Sequence, residues 1–244
     1  MQAHKTVSRE EWLVARRAHL AKEKELLKAK DELRRATREL PWVKLDKDYV
    51  FEGPNGKETL ADLFAGRSQL IVKHFMLGPG WTEGCVGCSF GADQLDGSVV
   101  HLMNHDVMFT AISRAPYPEI AAFHKRMGWT FKWVSSFGSD FNFDYHVSFT
   151  EEEKKANRSF YNFEEGPYFH DELPGYSVFY KDEAGDVFHT YSTFSRGTEM
   201  VGGVYGFLDV TPKGRNEPPG TNLSDWVRHH DKYAEKPGDS CCHS

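Results

Sequence analysis

Residues 69–91 read QLIVKHFMLGPGWTEGCVGCSFG and join an apolar run to a pair of cysteines. The run from Gln69 to Met76 has the length and the continuous apolar content of a buried strand. It leads into a glycine-rich loop with Cys85 and Cys88, after which a helix is predicted from Phe90 to Asn104. This order predicts a buried strand followed by a thiol pair at the start of a helix.

The position of the cysteine pair predicts reactive chemistry. A cysteine just before a helix lies beside unpaired backbone N–H groups and the positive end of the helix dipole, which favour the thiolate. Cys85 is therefore predicted to be the nucleophile. Cys88 follows one helical turn later and is placed to resolve a mixed disulfide, and Val86 and Gly87 allow the tight turn between them.

Two other interpretations of the pair stay open. A zinc site would need a second pair of ligands, and the tail cysteines Cys241 and Cys242 would supply it only by folding back across the molecule. Four cysteines are also too few for a disulfide framework. The pair is thus a redox site, part of a metal site, or two inert thiols.

The overall composition argues against several classes of protein. The chain has 244 residues, a net charge of −6 and 14% aromatic residues, which indicates dense packing or an aromatic-walled cleft. Beyond the first 40 positions the positive residues are spread out, so nucleic acid is not an expected partner. We find no signal-type segment and no run of about 18 apolar residues, and we expect a cytoplasmic protein without a membrane partner.

A long N-terminal helix is predicted up to Leu40, because nothing interrupts it before Pro41. Its start has the spacing of a capping box, from Ser8 to Glu11. Apolar residues recur along one face of this helix. The repeat consists of Trp12, His19, Leu26, Leu33 and Leu40, with Leu13, Leu20 and Leu27 alongside. Such a helix either packs along its own domain or pairs two copies of the chain as a homodimer.

Three segments are predicted along the chain: a helical arm (1–41), a central domain (42–210) and a C-terminal wrap with a loose tail (211–244). The alternation of strands and helices favours parallel neighbours, and the last two strands favour an antiparallel edge. The predicted strands are 47–52, 69–76, 106–113, 175–180 and 186–194, and the predicted helices are 59–64, 90–104, 117–127 and one near the C-terminus.

An aromatic stretch, 129–149, shows little periodicity, and no element is predicted there. Asp140, Asp144 and His146 within it are polar groups typical of the edge of a cleft. Their spacing matches no recognisable set of metal ligands.

Three stretches carry a resemblance to a known family: DLFAGRSQLIVKHFMLGPGWTEGCVGCSFGADQL (62–95), SRAPYPEIAAFHKRMGWTFKWVSS (113–136) and DVFHTYSTFSRG (186–197). They closely resemble a bacterial thioredoxin-like family known as a domain of unknown function (DUF 899), over nearly the whole chain. The resemblance implies an α/β, thioredoxin-like fold: a central mixed sheet flanked by helices, here with a long N-terminal helical extension. It implies no established reaction.

Peroxiredoxins share this fold and carry a proline and a threonine ahead of the cysteine that attacks peroxide. Thr82 lies three residues before Cys85, as in their pattern, whereas Pro79 is one residue closer than the pattern requires. The arginine that holds the thiolate in those proteins would correspond to Arg114, Arg126 or Arg196, and the sequence does not choose among them.

The copper-delivery proteins of respiratory oxidase assembly are also similar to thioredoxin and use two cysteines and a distant histidine. Cys85, Cys88 and His170 would make such a set, whose soft sulfur ligands suit Cu(I). Their cysteines are separated by three residues rather than two, and they work outside the cytoplasm. Both points count against the analogy.

Three more residues are candidates for a supporting role at the pair. Trp81 resembles the tryptophan that flanks thioredoxin-type cysteines, and Pro174 matches the place where thioredoxin folds carry a cis-proline that faces them. His189 either faces the cysteine loop and tunes its pKa or is an ordinary strand histidine.

The function predicted from the sequence is a thiol–disulfide oxidoreductase or a thiol peroxidase of thioredoxin-like type that needs no cofactor. Its expected partners are a disulfide or peroxide substrate and a thiol reductant. The alternative is a copper-binding protein that uses Cys85, Cys88 and His170.

Overall fold

The structure is a computed structural model that describes residues 5–195, 197–198, 208 and 211–214. The predicted C-terminal helix, nearly all of the predicted wrap, and the residues Arg196, Cys241 and Cys242 lie outside this range. The chain divides into two compact units, Met1–Leu40 and Pro41–Ser244. Within the described ranges, no helix combines the length and the apolar character needed to cross a membrane.

The first unit is built on helix α1, Arg9–Arg38. The predicted capping box is confirmed: the Ser8 hydroxyl accepts from the Glu11 N–H at 3.1 Å, and the Glu11 carboxylate accepts from the Ser8 N–H at 2.9 Å. The helix ends with Glu39 as its C-cap, slightly before the predicted end at Leu40. No residue of α1 is buried, and the pairing of two copies through this helix stays a prediction.

The second unit contains a mixed sheet. The strands of this unit are β1 (Val43–Lys44), β2 (Val50–Gly53), β3 (Gly56–Thr59), β4 (Gln69–His74), β5 (Val107–Ser113), β6 (Lys132–Ser135), β7 (Ser159–Tyr161), β8 (Glu164–Gly166), β9 (Gly175–Lys181) and β10 (Val187–Phe194). Strands β7 and β8 form a separate two-stranded sheet, and the others form the mixed sheet. The main sheet has the order β1-β10-β9-β4-β5-β6-β2-β3. The β4–β5 and β5–β6 pairs are parallel and the β9–β10 hairpin is antiparallel, which confirms the predicted parallel neighbours and final antiparallel pair.

The helices of this unit are a 3₁₀ turn (Asp62–Phe64), α2 (Val86–Asp96), α3 (Val99–Asn104), α4 (Tyr117–Met127), α5 (Phe141–Asp144) and α6 (Glu151–Lys155). The helix predicted after the cysteines begins earlier than expected, at Val86, because the cysteine loop itself provides its first turn. It is two helices rather than one, since Gly97 ends α2 and Ser98 precedes α3. The stretch 129–149, where no element was predicted, contains β6 and α5.

Two hydrophobic cores lie on the two faces of the sheet. The first core includes Ile71, Phe109 and Val178 with Leu95 of α2, and the second includes Leu70, Val72, Met108 and Phe179 with Phe141 of α5. Successive residues of a strand point to opposite faces, so β4 alternates between the two cores. Its last two residues, Lys73 and His74, are polar, buried and directed to opposite faces, Lys73 to the first core and His74 to the second.

The loop between β4 and α2 packs tightly just before the first cysteine. A Cβ atom on Gly84 would lie 2.6 Å from the ring of Phe75 and 2.8 Å from the ring of Phe123. Both rings belong to the first core, so any side chain at this position must displace buried aromatic groups.

We expect Gly84→Ala to lower the free energy of unfolding by about 2 kcal/mol, the usual cost of overpacking a core. Gly97→Ala is the matched control, because a Cβ there meets nothing within 4 Å, and it should be neutral or stabilise by about 0.5 kcal/mol. Urea denaturation of the reduced proteins measures both. Equal stability of the two variants would contradict the packing of this loop.

Candidate functional site

Cys85 is the N-cap residue of α2 and is half-buried. Its backbone N–H donates to the carbonyl of Met76 at 3.0 Å, which fixes the loop to the end of β4. Its own carbonyl accepts from the N–H and the hydroxyl of Ser89, at 2.9 and 3.0 Å. The first sulfur is therefore held at the start of the helix, as the sequence predicts.

The surroundings of Cys85 favour its thiolate. The thiol of Cys88 donates a hydrogen bond to it, and this bond does most to lower the pKa of Cys85 to about 5. The backbone N–H groups of Cys88 and Gly87 and the positive charge of Lys73 act in the same direction, while partial burial opposes them. A thiol with this pKa is ionised at neutral pH and is nucleophilic.

Cys88 differs from Cys85 in its burial and in the direction in which its pKa is shifted. It is buried, with 3% of its surface exposed, and it is a free thiol like Cys85. Its hydrogen bond to Cys85 and its burial both raise its pKa, although the charge of Lys73 works against the rise. The pair therefore combines an accessible thiolate with a buried, protonated neighbour.

Lys73 is the site residue that sequence analysis missed. It lies on β4, is 5% exposed, and its Nζ donates to the hydroxyl of Tyr176 at 2.9 Å. Nζ also lies 4.6 Å from the centre of the Tyr176 ring. Gly91 of α2 leaves it room, because a Cβ there would come within 3.2 Å of Nζ. The sequence feature that could have identified Lys73 is its place inside an apolar strand, because lysine is almost never buried without a partner.

Trp81 and Thr82 precede the pair and differ in their surroundings. Trp81 packs against the first core, as Cys85 does, and its ring centre lies 5.8 Å from that of His170. Thr82 is exposed. Among the described residues it makes no hydrogen bond to Cys85, so the structure does not give it the position of a peroxiredoxin threonine.

Arg114 forms an ion pair with a buried carboxylate. Its Nε donates to Glu172 at 2.7 Å, and Glu172 also accepts from the hydroxyl of Ser148 at 2.6 Å. Glu172 is 2% exposed, and burial raises the pKa of its carboxyl although Arg114 opposes the rise. A second candidate, Arg126, donates to Glu83 on the surface. Both arginines thus neutralise carboxylates.

Pro174 does not carry the cis bond found at the matching place in thioredoxin folds. No peptide bond in the described part of the chain is cis. The Pro174 carbonyl accepts from the hydroxyl of Tyr161 at 2.7 Å, and that hydroxyl accepts from the Ser195 N–H at 2.9 Å. Burial raises the pKa of Tyr161 to about 12, and Cys88 contributes to the rise, so Tyr161 lies within electrostatic reach of the pair.

His189 faces away from the cysteines, which corrects the hypothesis that it tunes them. It pairs across the hairpin with Phe179 of the second core, whereas Tyr191 pairs with Val178 and packs against the first. Residues two apart on a strand normally share a face. A β-bulge between His189 and Tyr191 turns them to opposite faces.

The metal-ligand set proposed from the sequence is not assembled. In the ranges that the structure describes, no group of three or more His, Cys, Asp or Glu side chains is arranged to hold a metal ion. His170 contacts Trp81 through its ring, and its Nδ1 lies 3.5 Å from the Glu172 N–H.

The topology and the site together define the class of protein. A strand–helix–strand unit (β4, α2 and β5) is followed by the β9–β10 hairpin, which returns on the other side of β4, and a CxxC pair opens the first helix. The chain is thus a thioredoxin-like α/β protein with a long N-terminal helix, as the sequence predicted. It belongs to the family described as bacterial protein of unknown function (DUF899), whose model matches residues 1–233.

Several solved structures show distant likeness. A PrxQ cysteine-to-serine mutant from Xylella fastidiosa has a TM-score of 0.40 and 11% identity, covering 60% of this chain and 77% of that one. A putative thiol:disulfide interchange protein DsbE from Chlorobium tepidum has a TM-score of 0.40 and 12% identity, covering 64% and 86%. Peroxidoxin BcpB from Mycobacterium tuberculosis has a TM-score of 0.38 and 12% identity, covering 66% and 92%. No curated protein matches the chain.

Alkylation of the reduced protein at a series of pH values tests the electrostatics of the pair. We expect the rate at Cys85 to reach half its maximum near pH 5, the value to which the pKa of Cys85 is lowered. Lys73→Met removes a positive charge and should move this midpoint upward by about one pH unit.

Lys125→Met is the control for that experiment, because Lys125 is exposed on α4. It should leave the midpoint where it is. A midpoint near the free-thiol value of about 8.5 in the wild type, or equal midpoints in the wild type and Lys73→Met, would contradict the arrangement.

Proposed function

We propose that this protein is a thiol–disulfide oxidoreductase in which Cys85 is the nucleophile and Cys88 the resolving cysteine. The observation that carries the proposal is the asymmetry of the pair. Cys85 is half-exposed with a pKa lowered to about 5, and Cys88 beside it is buried with a raised pKa. Cys85 is thus the thiolate that can attack a substrate first, and Cys88 is the protonated thiol that can attack second.

In the first step the Cys85 thiolate attacks one sulfur of a substrate disulfide. A Cys85–substrate disulfide forms, the substrate S–S bond breaks, and the second substrate sulfur leaves as a thiolate. Val86 follows Cys85 and is 85% exposed. It offers an apolar contact to a substrate beside the reacting sulfur, which favours a peptide or protein disulfide.

In the second step Cys88 attacks the sulfur of Cys85. The proton of Cys88 passes to the departing thiolate of the first step, the Cys85–Cys88 disulfide forms, and the remaining half of the substrate leaves as a thiolate. Two electrons have moved from the pair to the substrate. Lys73 supports this step, because its charge lowers the pKa of the Cys88 thiol. A thiol reductant then restores the two free thiols.

Peroxide is the second substrate class that the thiolate would accept, with Cys85 passing through a sulfenic acid. Arg114 pairs with Glu172 through Nε and Arg126 with Glu83 through one terminal nitrogen, and each keeps further N–H donors, so the preference for disulfides rests on the exposed Val86 beside Cys85. Copper binding gains no support from the described residues. A cytoplasmic location, where thiols stay reduced, stays a prediction.

Trapping with glutathione disulfide tests the two roles in a background where Cys241 and Cys242 are serine. We expect the parent protein to release two glutathione molecules and form an intramolecular disulfide. Cys88→Ser should retain one glutathione on Cys85, because the attack that resolves the mixed disulfide is lost. Peptide mass spectrometry locates the adduct.

Cys85→Ser is the matched variant and should retain no glutathione, since the buried Cys88 is protonated. A glutathione adduct on Cys88, or no adduct in Cys88→Ser, would overturn the assignment of roles. Hydrogen peroxide given to Cys88→Ser separates the two substrate classes: a faster reaction at Cys85 than with glutathione disulfide would favour the peroxidase.

A further inference from the structure

A second site lies beside the second core, apart from the cysteines. It is a pocket of about 240 Å³. Asp144 and His146 line it, in agreement with the prediction from the sequence that they lie at the edge of a cleft. Asp140 is not part of the lining, and both Asp140 and Asp144 pair with Lys47. Nothing in the thiol chemistry proposed above uses this pocket.

The walls of the pocket are mainly aromatic. They are formed by Tyr49, Tyr145, Phe160, Phe163 and Phe194. The volume is larger than the cavity of about 150 Å³ that holds benzene and smaller than the roughly 300–1,000 Å³ of pockets for drug-sized ligands. Flat walls and this volume suit a molecule of one or two planar rings, because aromatic rings pack well against each other.

His189 gives the pocket a defined polar group. Its Nε2 lies 3.1 Å from the carbonyl of Tyr191 and 2.7 Å from the hydroxyl of Ser192. A carbonyl can only accept, so Nε2 carries the proton. Burial lowers the pKa of His189, and the ring is therefore neutral at pH 7, with a lone pair on Nδ1. Within the described residues, Nδ1 has no hydrogen-bond partner.

A buried chain of hydroxyls holds this arrangement in place. Ser192 Oγ lies 2.8 Å from Ser177 Oγ, which lies 2.8 Å from Nε2 of His74. His74 is 1% exposed, and burial lowers its pKa to about 3, so it stays neutral as well. The orientation of His189 is thus fixed by groups that do not titrate near pH 7.

We propose that this pocket binds a small planar aromatic molecule that carries an O–H or N–H donor. The rings pack against the aromatic walls, and the donor bonds to Nδ1 of His189. The site is independent of the thiol pair, and a failure of either proposal leaves the other standing.

Phenol and toluene, which have nearly the same shape, test the proposal on the full-length protein by NMR titration. An apolar cavity prefers toluene, because phenol loses its hydrogen bonds to water on entry. We expect phenol to bind at least tenfold more tightly than toluene and to shift the ring signals of His189. No binding of either molecule, an equal or reversed preference, or shifts confined to other histidines would overturn the proposal.

Two variants and a control sharpen the result. His189→Phe keeps a ring but removes the acceptor, and it should reverse the preference in favour of toluene. Phe163→Ala removes a wall at a residue that is 63% exposed, and it should weaken both ligands severalfold without disturbing the core. His170→Phe, at an exposed histidine outside the pocket, should change neither affinity. A phenol preference that survives in His189→Phe would contradict the assigned acceptor.

Discussion

The ammonium group of Lys73, buried between β4 and α2, is the constraint that the reactive site has to satisfy. A buried charge without compensation costs several kcal/mol. Its compensation comes from the hydroxyl and ring of Tyr176 and from the negative charge of Cys85, whose pKa it helps to lower. Oxidation of the pair removes that negative charge. The buried charge therefore favours the reduced pair, which supports the last step of the proposed cycle, its return to two thiols by a thiol reductant.

Among the residues that the structure describes, the positive charge that acts on the cysteines is Lys73 of β4 and not Arg114 or Arg126. Arg114 stabilises the buried Glu172, and the side chain of Glu172 in turn lies close to the cysteine loop, since a Cβ on Gly78 would come within 3.3 Å of its Cγ. The arginine therefore supports the framework around the loop, while the lysine acts on the sulfurs. A pattern built on peroxiredoxin arginines therefore does not identify Lys73, the group that acts on Cys85.

Much of the framework could be read from the sequence. Continuous apolar content located β4 and β5, and the cysteine pair located the start of a helix. Local sequence patterns did not predict the features of the structure that depend on tertiary contacts. Residues Lys132–Ser135 form a parallel strand whose burial shows no alternation, and Lys73 was absorbed into an apolar run. The sequence left the face of His189 open, because the β-bulge after it, a feature of strand pairing rather than of composition, decides the side on which it lies.

The adjacency of Lys73 and His74 on β4 also limits how this protein can change. Inserting or deleting a single residue earlier in the strand would exchange the two side chains between the faces. An imidazole would then sit under the sulfurs, and an ammonium would be forced among the rings of Phe141 and Tyr145, which now stack on His74. Only insertions or deletions of an even number of residues would keep Lys73 and His74 on their present faces.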